Sequence, residues 1–393
     1  MEKQKKQDKK KNSFLLVIIL ALVFGLAGGI VGELIAKVYI FGDIYNIPFF
    51  GEINLSDSNY NGSSLVISGA KKVVVEQDTR VTQTINNVNS SLVGVYKKVA
   101  VGTSTPELAE FNLEDYYKLN QKIGQGLIIT SDGWIITNAF IENANPIKVV
   151  SDYVVITKNN EIYNIDKYIK DSITSFSFVH ANSVNNLPVS VFADKKDINS
   201  GQLAVVVDWS GRSQLTSVTG FKENTILLKF SDVFSDELIL ADTMSKEFKG
   251  ASIFNLAGNV IGFVAEGGKI IPINHFKSAI NSLLEFKVIK RLGLGINYID
   301  LSTITMEDNQ YKKGALIYKN TNGVDVVKNS PADVAGLKEG DIIISIDNIE
   351  INKNNDLTDI LQNYLAGDKV NIIYLRENKE VEVEIELGEV EGI

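Results

Sequence analysis

The chain contains no cysteine and only two histidines, His180 and His275. The first absence excludes disulfides, thiol catalysis and cysteine-ligated metal, and leaves the redox compartment open. The second shortens any search for a histidine base to two positions. No HExxH, EF-hand or P-loop pattern occurs, so metal and nucleotide chemistry have no motif behind them, and neither a metal nor a cofactor is expected. Basic residues are also scarce outside the N-terminus. Residues 1–12 hold six lysines against Glu2 and Asp8, and the remainder carries 33 basic and 46 acidic side chains. Phosphate binding needs clustered Lys and Arg, so this acidic body argues against nucleic acid as a partner. What is present is ordinary for a globular protein: 45% hydrophobic and 22% charged over 393 residues, a length for two or three domains.

After the basic tail comes an apolar run from Phe14 to about Ala36 that is free of charge until Glu33. About 20 such residues cross a bilayer, and a cleaved signal peptide would have an apolar core of only about 7–15. Residues 13–36 are therefore expected to form a transmembrane helix. Lysines ahead of it place residues 1–12 in the cytoplasm and the main domains outside, in a single-pass membrane protein. Residues 37–77 read as a juxtamembrane linker, aromatic at first and then rich in Asn, Ser and Gly.

The stretch Gly124–Phe140, GQGLIITSDGWIITNAF, reads as a β-hairpin. Leu127–Thr130 and Trp134–Thr137 are β-branched and apolar, and Asp132-Gly133 between them suits a tight turn. On these residues the chain resembles the HtrA/Deg family of trypsin-like serine proteases, whose first hairpin reads GSGxIISxDGYILTNxHV. That resemblance implies a mostly β protein: a membrane anchor helix, a trypsin-like double six-stranded β-barrel over 78–288, then an α+β PDZ domain over 289–393. Within the first domain, Ser91–Lys97, Ile147–Val155, Glu161–Tyr168, Leu203–Val207 and Thr216–Gly220 read as strands. The 103–122 loop has no role that its residues reveal.

The same resemblance locates three triad positions, and none holds a catalytic residue type. The histidine position after Thr137-Asn138 holds Phe140. In Thr174–His180 the aspartate position holds Ser175. Anchoring SKEFKGASIFNLAGNVIGF on Asn255, Gly258 and Val260-Ile261-Gly262 puts Lys249 at the nucleophile position. A rival register using Gly250-Ala251-Ser252 needs a deletion inside the turn that shapes the oxyanion hole. Serine proteolysis needs a nucleophile, a base and a group that orients the base, and Phe140 has no proton-accepting atom. A Ser–Lys dyad of Lys249 with Ser252 or Ser245 would require a deeply desolvated lysine. The expectation is a pseudoprotease, against an active serine endopeptidase and a purely structural envelope protein.

The C-terminal part resembles the family's PDZ domain along its whole length, through Gly293-Leu294-Gly295-Ile296, Ser330-Pro331-Ala332, Ala335-Gly336-Leu337, Gly340-Asp341-Ile342-Ile343 and Gly367-Asp368. Asp347-Asn348 reads as a turn between two strands, and Leu357, Ile360, Leu361 and Tyr364 as one face of a helix of about ten residues. The resemblance implies that the N–H groups of Leu294, Gly295 and Ile296, beside Gly293, meet a peptide C-terminal carboxylate. The peptide would add a strand to Ile296–Leu301, its last side chain entering a pocket of Leu294, Ile296, Leu357 and Leu361. The implied partners are protein or peptide C-termini, unfolded segments, a homotrimer or an active homologue.

Overall fold

The computed structural model describes residues 20–26, 28–29, 32, 45–47, 51–53, 70–99, 113–139, 146–171, 173–222, 227–305 and 312–389. The chain forms two compact units, residues 1–70 and 71–393. In the first, residues 20–26 are helical and Tyr45–Ile47 pairs antiparallel with Gly51–Ile53. No helix among the described residues is long and apolar enough to cross a membrane. The basic tail, the 54–69 stretch of the linker, and residues 103–112 of the loop lie outside the described residues.

The helix Ala70–Asn89 leads into the second unit, which builds a closed barrel, two larger sheets and the short pair of Leu292–Gly293 with Gly388–Glu389. Six strands close a barrel in the order Leu92–Lys97, Gly124–Ile128, Trp134–Thr137, Ser177–Ala181, Ile162–Lys170 and Tyr153–Thr157. The barrel hairpin turns at Ser131–Gly133, where Gly133 takes φ +113°, which an L side chain rarely adopts. Its strands are fully buried, because one face of each looks into the barrel and the other onto the neighbouring sheet.

The second sheet runs Glu237–Leu240, Ser213–Lys222, Leu203–Val207, Ser252–Asn255, Val260–Val264 and Ile270–Pro272. The expectation is a double six-stranded barrel; this second sheet has its six strands, and among the described residues its first and last strands are not joined by hydrogen bonds. Its last strand has three residues and ends on Pro272, which has no N–H to donate to a further strand. Phe254, Phe263, Phe276, Phe178 and Trp134 fill the shared core between barrel and sheet.

The third sheet runs Leu228–Phe230, Asn297–Asp300, Ala315–Ile317, Ile342–Ile346, Lys369–Arg376 and Lys379–Glu386, with Ile349–Glu350 paired to Ile342–Ile346. It has its own core of Leu294, Ile296, Tyr298, Ile343, Leu357 and Leu361. Asp347 and Asn348 both take positive φ, 45° and 65°, the geometry of a two-residue hairpin turn.

Two elements differ from expectation. Ile147–Val155 is not one strand: Pro146–Asp152 is a helix and the strand is Tyr153–Thr157. Pro146 occupies the first helical position, where its missing N–H costs nothing and its fixed φ starts the turn. The helix expected to reach Tyr364 stops at Leu361, with Leu357 and Leu361 still facing the core.

Candidate functional site

Two places carry the positions singled out by sequence. The first is the junction between barrel and second sheet, held by Gln125 on the Gly124–Ile128 strand. This side chain is buried, and it uses both ends of its amide. Nε2 donates to the Lys249 carbonyl at 2.7 Å, and Oε1 accepts from the Trp209 N–H at 2.7 Å and from Lys122 Nζ at 2.9 Å. Asn138 Oδ1 accepts from the Gln125 N–H, and Thr137 Oγ1 donates to the Gln125 carbonyl. Gly250 sits against Asn138 with φ +79°, and a Cβ there would stand 2.1 Å from Asn138 Cγ. Only glycine fits.

Of the three triad positions, Phe140 lies outside the described residues. Ser175 is exposed, in a turn with φ +61°, beside a buried carboxylate, Asp171. Asp171 is committed elsewhere: it accepts from Nε of Arg291 at 3.1 Å and from its Nη2. Lys249 is half-exposed and pairs with Glu266 at 3.2 Å. That exposure removes the desolvation a lysine base requires. Ser252 begins the strand Ser252–Asn255 with its Oγ buried and without a hydrogen-bond partner.

Neither imidazole bonds a serine. His180 Nδ1 meets Asp166 at 2.6 Å and its ring packs on Trp134. His275 is buried, bonds Asp236 through Nε2 at 2.7 Å, and stacks on Phe234. Asp236 also pairs with Lys195 at 2.7 Å, and Lys195 with Asp359 at 2.5 Å. Burial alone would raise the Asp236 carboxyl, but the His275 hydrogen bond and the Lys195 ammonium outweigh it and hold it below the ordinary range. Burial pushes Asp359 the other way, upward. Near the junction, Lys122 Nζ also reaches Ser210 Oγ at 3.4 Å, and burial pulls that ammonium below its usual value. Among the described residues no group of three or more acidic or histidine side chains could hold a metal.

The second place is the loop Gly293–Ile296. Leu294 and Ile296 are fully buried, as are Leu357 and Leu361 on the facing helix. Gly295 takes φ +80°, and a Cβ would meet Ser330 Cβ at 2.3 Å. The loop carbonyls are held by its own domain: Leu294 accepts from Ala332 and Gly295 from Val327. Its N–H groups point to another part of the chain. Those of Leu294 and Gly295 donate to Asp232 Oδ1 at 2.9 and 3.1 Å, and that of Ile296 donates to Ser231 Oγ at 3.1 Å. Just before these residues, Leu228–Phe230 lies antiparallel on Asn297–Asp300, with Leu228 opposite Ile299, Lys229 opposite Tyr298 and Phe230 opposite Asn297. Nothing in sequence reasoning reached this strand. Its one local signal is the run Ile226-Leu227-Leu228-Lys229-Phe230 within a connection too long for a hairpin.

Comparison with known proteins follows this division. A family model described as a PDZ domain matches residues 293–387. The chain is similar to "Serine protease Do-like HtrA" of Lactobacillus helveticus, 24% identical over 96% of this chain and 96% of that protein. It is likewise similar to the protein of that name from Lactococcus lactis subsp. cremoris (strain MG1363), at 25% over 84% of this chain and 88% of the other. Among solved structures, "HtrA-type protease AlgW with decapeptide" shares the fold, with a TM-score of 0.51 and 17% identity over 79% of this chain and 99% of that one.

Proposed function

We propose that the chain, an HtrA/Deg-family protein with a C-terminal PDZ domain by its similarity to the relatives above, works by binding peptide C-termini while its protease domain is catalytically silent. The observation that carries this reading is the set of N–H groups at Leu294, Gly295 and Ile296, aimed together at one carboxylate oxygen and the hydroxyl beside it. Backbone donors converging on a carboxylate at the end of a strand are what capture of a chain terminus needs. Gly293, Leu294, Gly295, Ile296, Leu357 and Leu361 are its proposed binding residues. An array of C-terminal peptides tests this: hits should appear, and amidating the peptide should abolish them. Hits that survive amidation would defeat carboxylate capture, and no hits would favour a structural envelope role.

Silence of the protease domain is supported by Phe140, which has no proton acceptor, by exposed Ser175 and by ion-paired Lys249. The competing reading is an active serine endopeptidase. It draws on the names of the relatives and on the Lys122–Ser210 contact. That contact is long, and the lysine donates in it, whereas a general base must accept the hydroxyl proton. Fluorophosphonate labelling of the full chain should be absent. Labelling that disappears in Ser252→Ala or Ser210→Ala would make the protein an enzyme.

We place the chain in a bacterial cell membrane by one span over 13–36, with the larger domains outside. The support is the apolar run from Phe14 and the exposure of Leu20, Leu22, Val23, Phe24 and Leu26 on its helical part. Extraction by alkaline carbonate would remove that assignment. In this setting the working partners are unfolded or terminal segments of envelope proteins, with assembly as a homotrimer or with an active homologue; sedimentation of the detergent-solubilised chain reads the assembly.

A further inference from the structure

The connection between Ser213–Lys222 and Glu237–Leu240 spans residues 223–236, although antiparallel neighbours need only about 2–5. Its described part is not a loose loop. Leu228–Phe230 is the edge strand of the third sheet, on the side where an added peptide would lie. It runs in the sense that brings its C-terminal end to the Gly293–Ile296 loop. The Ser231 N–H donates to the Ile296 carbonyl at 2.9 Å, continuing the ladder. Asp232 Oδ1 and Ser231 Oγ then occupy the N–H groups of Leu294, Gly295 and Ile296. In effect Ser231 holds the place of a last residue, and the Asp232 side chain stands in for its terminal carboxylate.

Two residues earlier, Lys229 extends to a pocket made for a cation. Its Nζ lies 3.1 Å from Asp356 and 3.7 Å from Asp300, and its side chain is 11% exposed. Tyr298 Oη donates to the same Asp356 at 2.8 Å. Asp300 from the strand and Asp356 from the start of the facing helix both turn to this ammonium, which offsets their repulsion.

We infer that residues 228–232 are a built-in ligand of the PDZ groove, displaced by external peptides that end in a free carboxylate and carry a basic side chain at the third position from the end. The inference rests on the peptide-binding reading above. Its physical basis is exchange: the strand pairing, the loop N–H groups and the acidic pocket that hold 228–232 are contacts a peptide of that chemistry can also make. A tethered segment acts at an effective concentration on the order of millimolar. External affinity is therefore reduced by the fraction of molecules with the groove open.

The probe is a fluorescein-labelled octapeptide copying residues 224–231 with a free C-terminal carboxylate, titrated with the full-length chain and read by anisotropy. Asp232→Ala should bind it about tenfold or more tightly than the unaltered chain, since the closed state loses its anchor. Replacing the lysine of the probe by glutamate should weaken binding to Asp232→Ala by about tenfold or more. A second variant needs no weakening of the fold. The chain has no cysteine of its own, so Leu228→Cys with Ile299→Cys places a single pair at directly opposed strand positions. Oxidised, it should not bind the probe; reductant should restore binding. Equal affinity in the unaltered chain, Asp232→Ala and the oxidised pair would overturn the internal ligand and leave peptide binding standing. Equal affinity for the lysine and glutamate probes would overturn the basic specificity. Absence of binding in every form, or equal binding of an amidated probe, would overturn both the inference and the reading beneath it.

Discussion

The junction at Gln125 and the groove at Gly295 are assembled in the same way. In each, a strand end is tied by one polar side chain to a loop from another sheet, and a glycine of positive φ lets the backbones come close. They differ in the tie. The Gln125 amide donates at one end and accepts at the other, so it is matched to two fixed backbone partners and to nothing that could arrive from solution. The Asp232 carboxylate only accepts, and on the reading proposed above the carboxylate of a chain terminus takes its place. A site can thus be shut by structure or shut by competition, and the second kind can be reopened.

The largest effect expected comes from the buried pair that ties the end of a barrel strand to the chain entering the groove loop. Asp171 lies four residues before Ser175, Arg291 two before Gly293, and both are buried. Asp171→Ala strands a buried guanidinium and should cost about 3–5 kcal/mol in urea unfolding. Replacing both partners with apolar residues should recover much of that loss. If Asp171→Ala alone is neutral, the pair does not hold the barrel strand to the groove loop. Next, Gly250→Ala should cost about 1–3 kcal/mol, since it adds a clash with Asn138 to an unfavourable φ. Gly201→Ala, at φ +82° with open space around it, isolates the φ contribution and should cost less.

A smaller effect is expected with pH. The Asp236 carboxyl is depressed in the folded chain, so its contribution to stability is complete above about pH 4 and is lost as pH falls through the folded-state value. Asp236→Asn should flatten the acid limb of the stability profile; an unchanged limb would remove Asp236 from it. Least of all, Lys249→Ala should change stability by no more than about 0.5 kcal/mol, because its ion pair with Glu266 is exposed. A large loss of stability there would mean that the position retains a role at the junction.

How much of this was legible beforehand varied with the range of the interactions. The hairpin around Gly133, the Asp347-Asn348 turn and the glycines of the Gly293–Ile296 loop announce themselves locally, because positive φ restricts the residue types that fit. The helix Pro146–Asp152 carried a local signal in Pro146, which β-branched neighbours masked. The strand Leu228–Phe230 had no such signal to offer. Its partner, Asn297–Asp300, is about seventy residues away along the chain, and pairing at that distance depends on tertiary contacts rather than propensity. Asp232 was hidden for the same reason: an aspartate in a polar loop reads as solvated until its acceptor geometry is seen.

Both ends of the 223–236 connection are rooted in strands of the second sheet, Ser213–Lys222 and Glu237–Leu240, while its middle is spent in the third. A guest that takes the groove therefore hands back a length of chain to a different domain. The arrival of a tail at one surface is announced as slack at another, with no rotation of either body required.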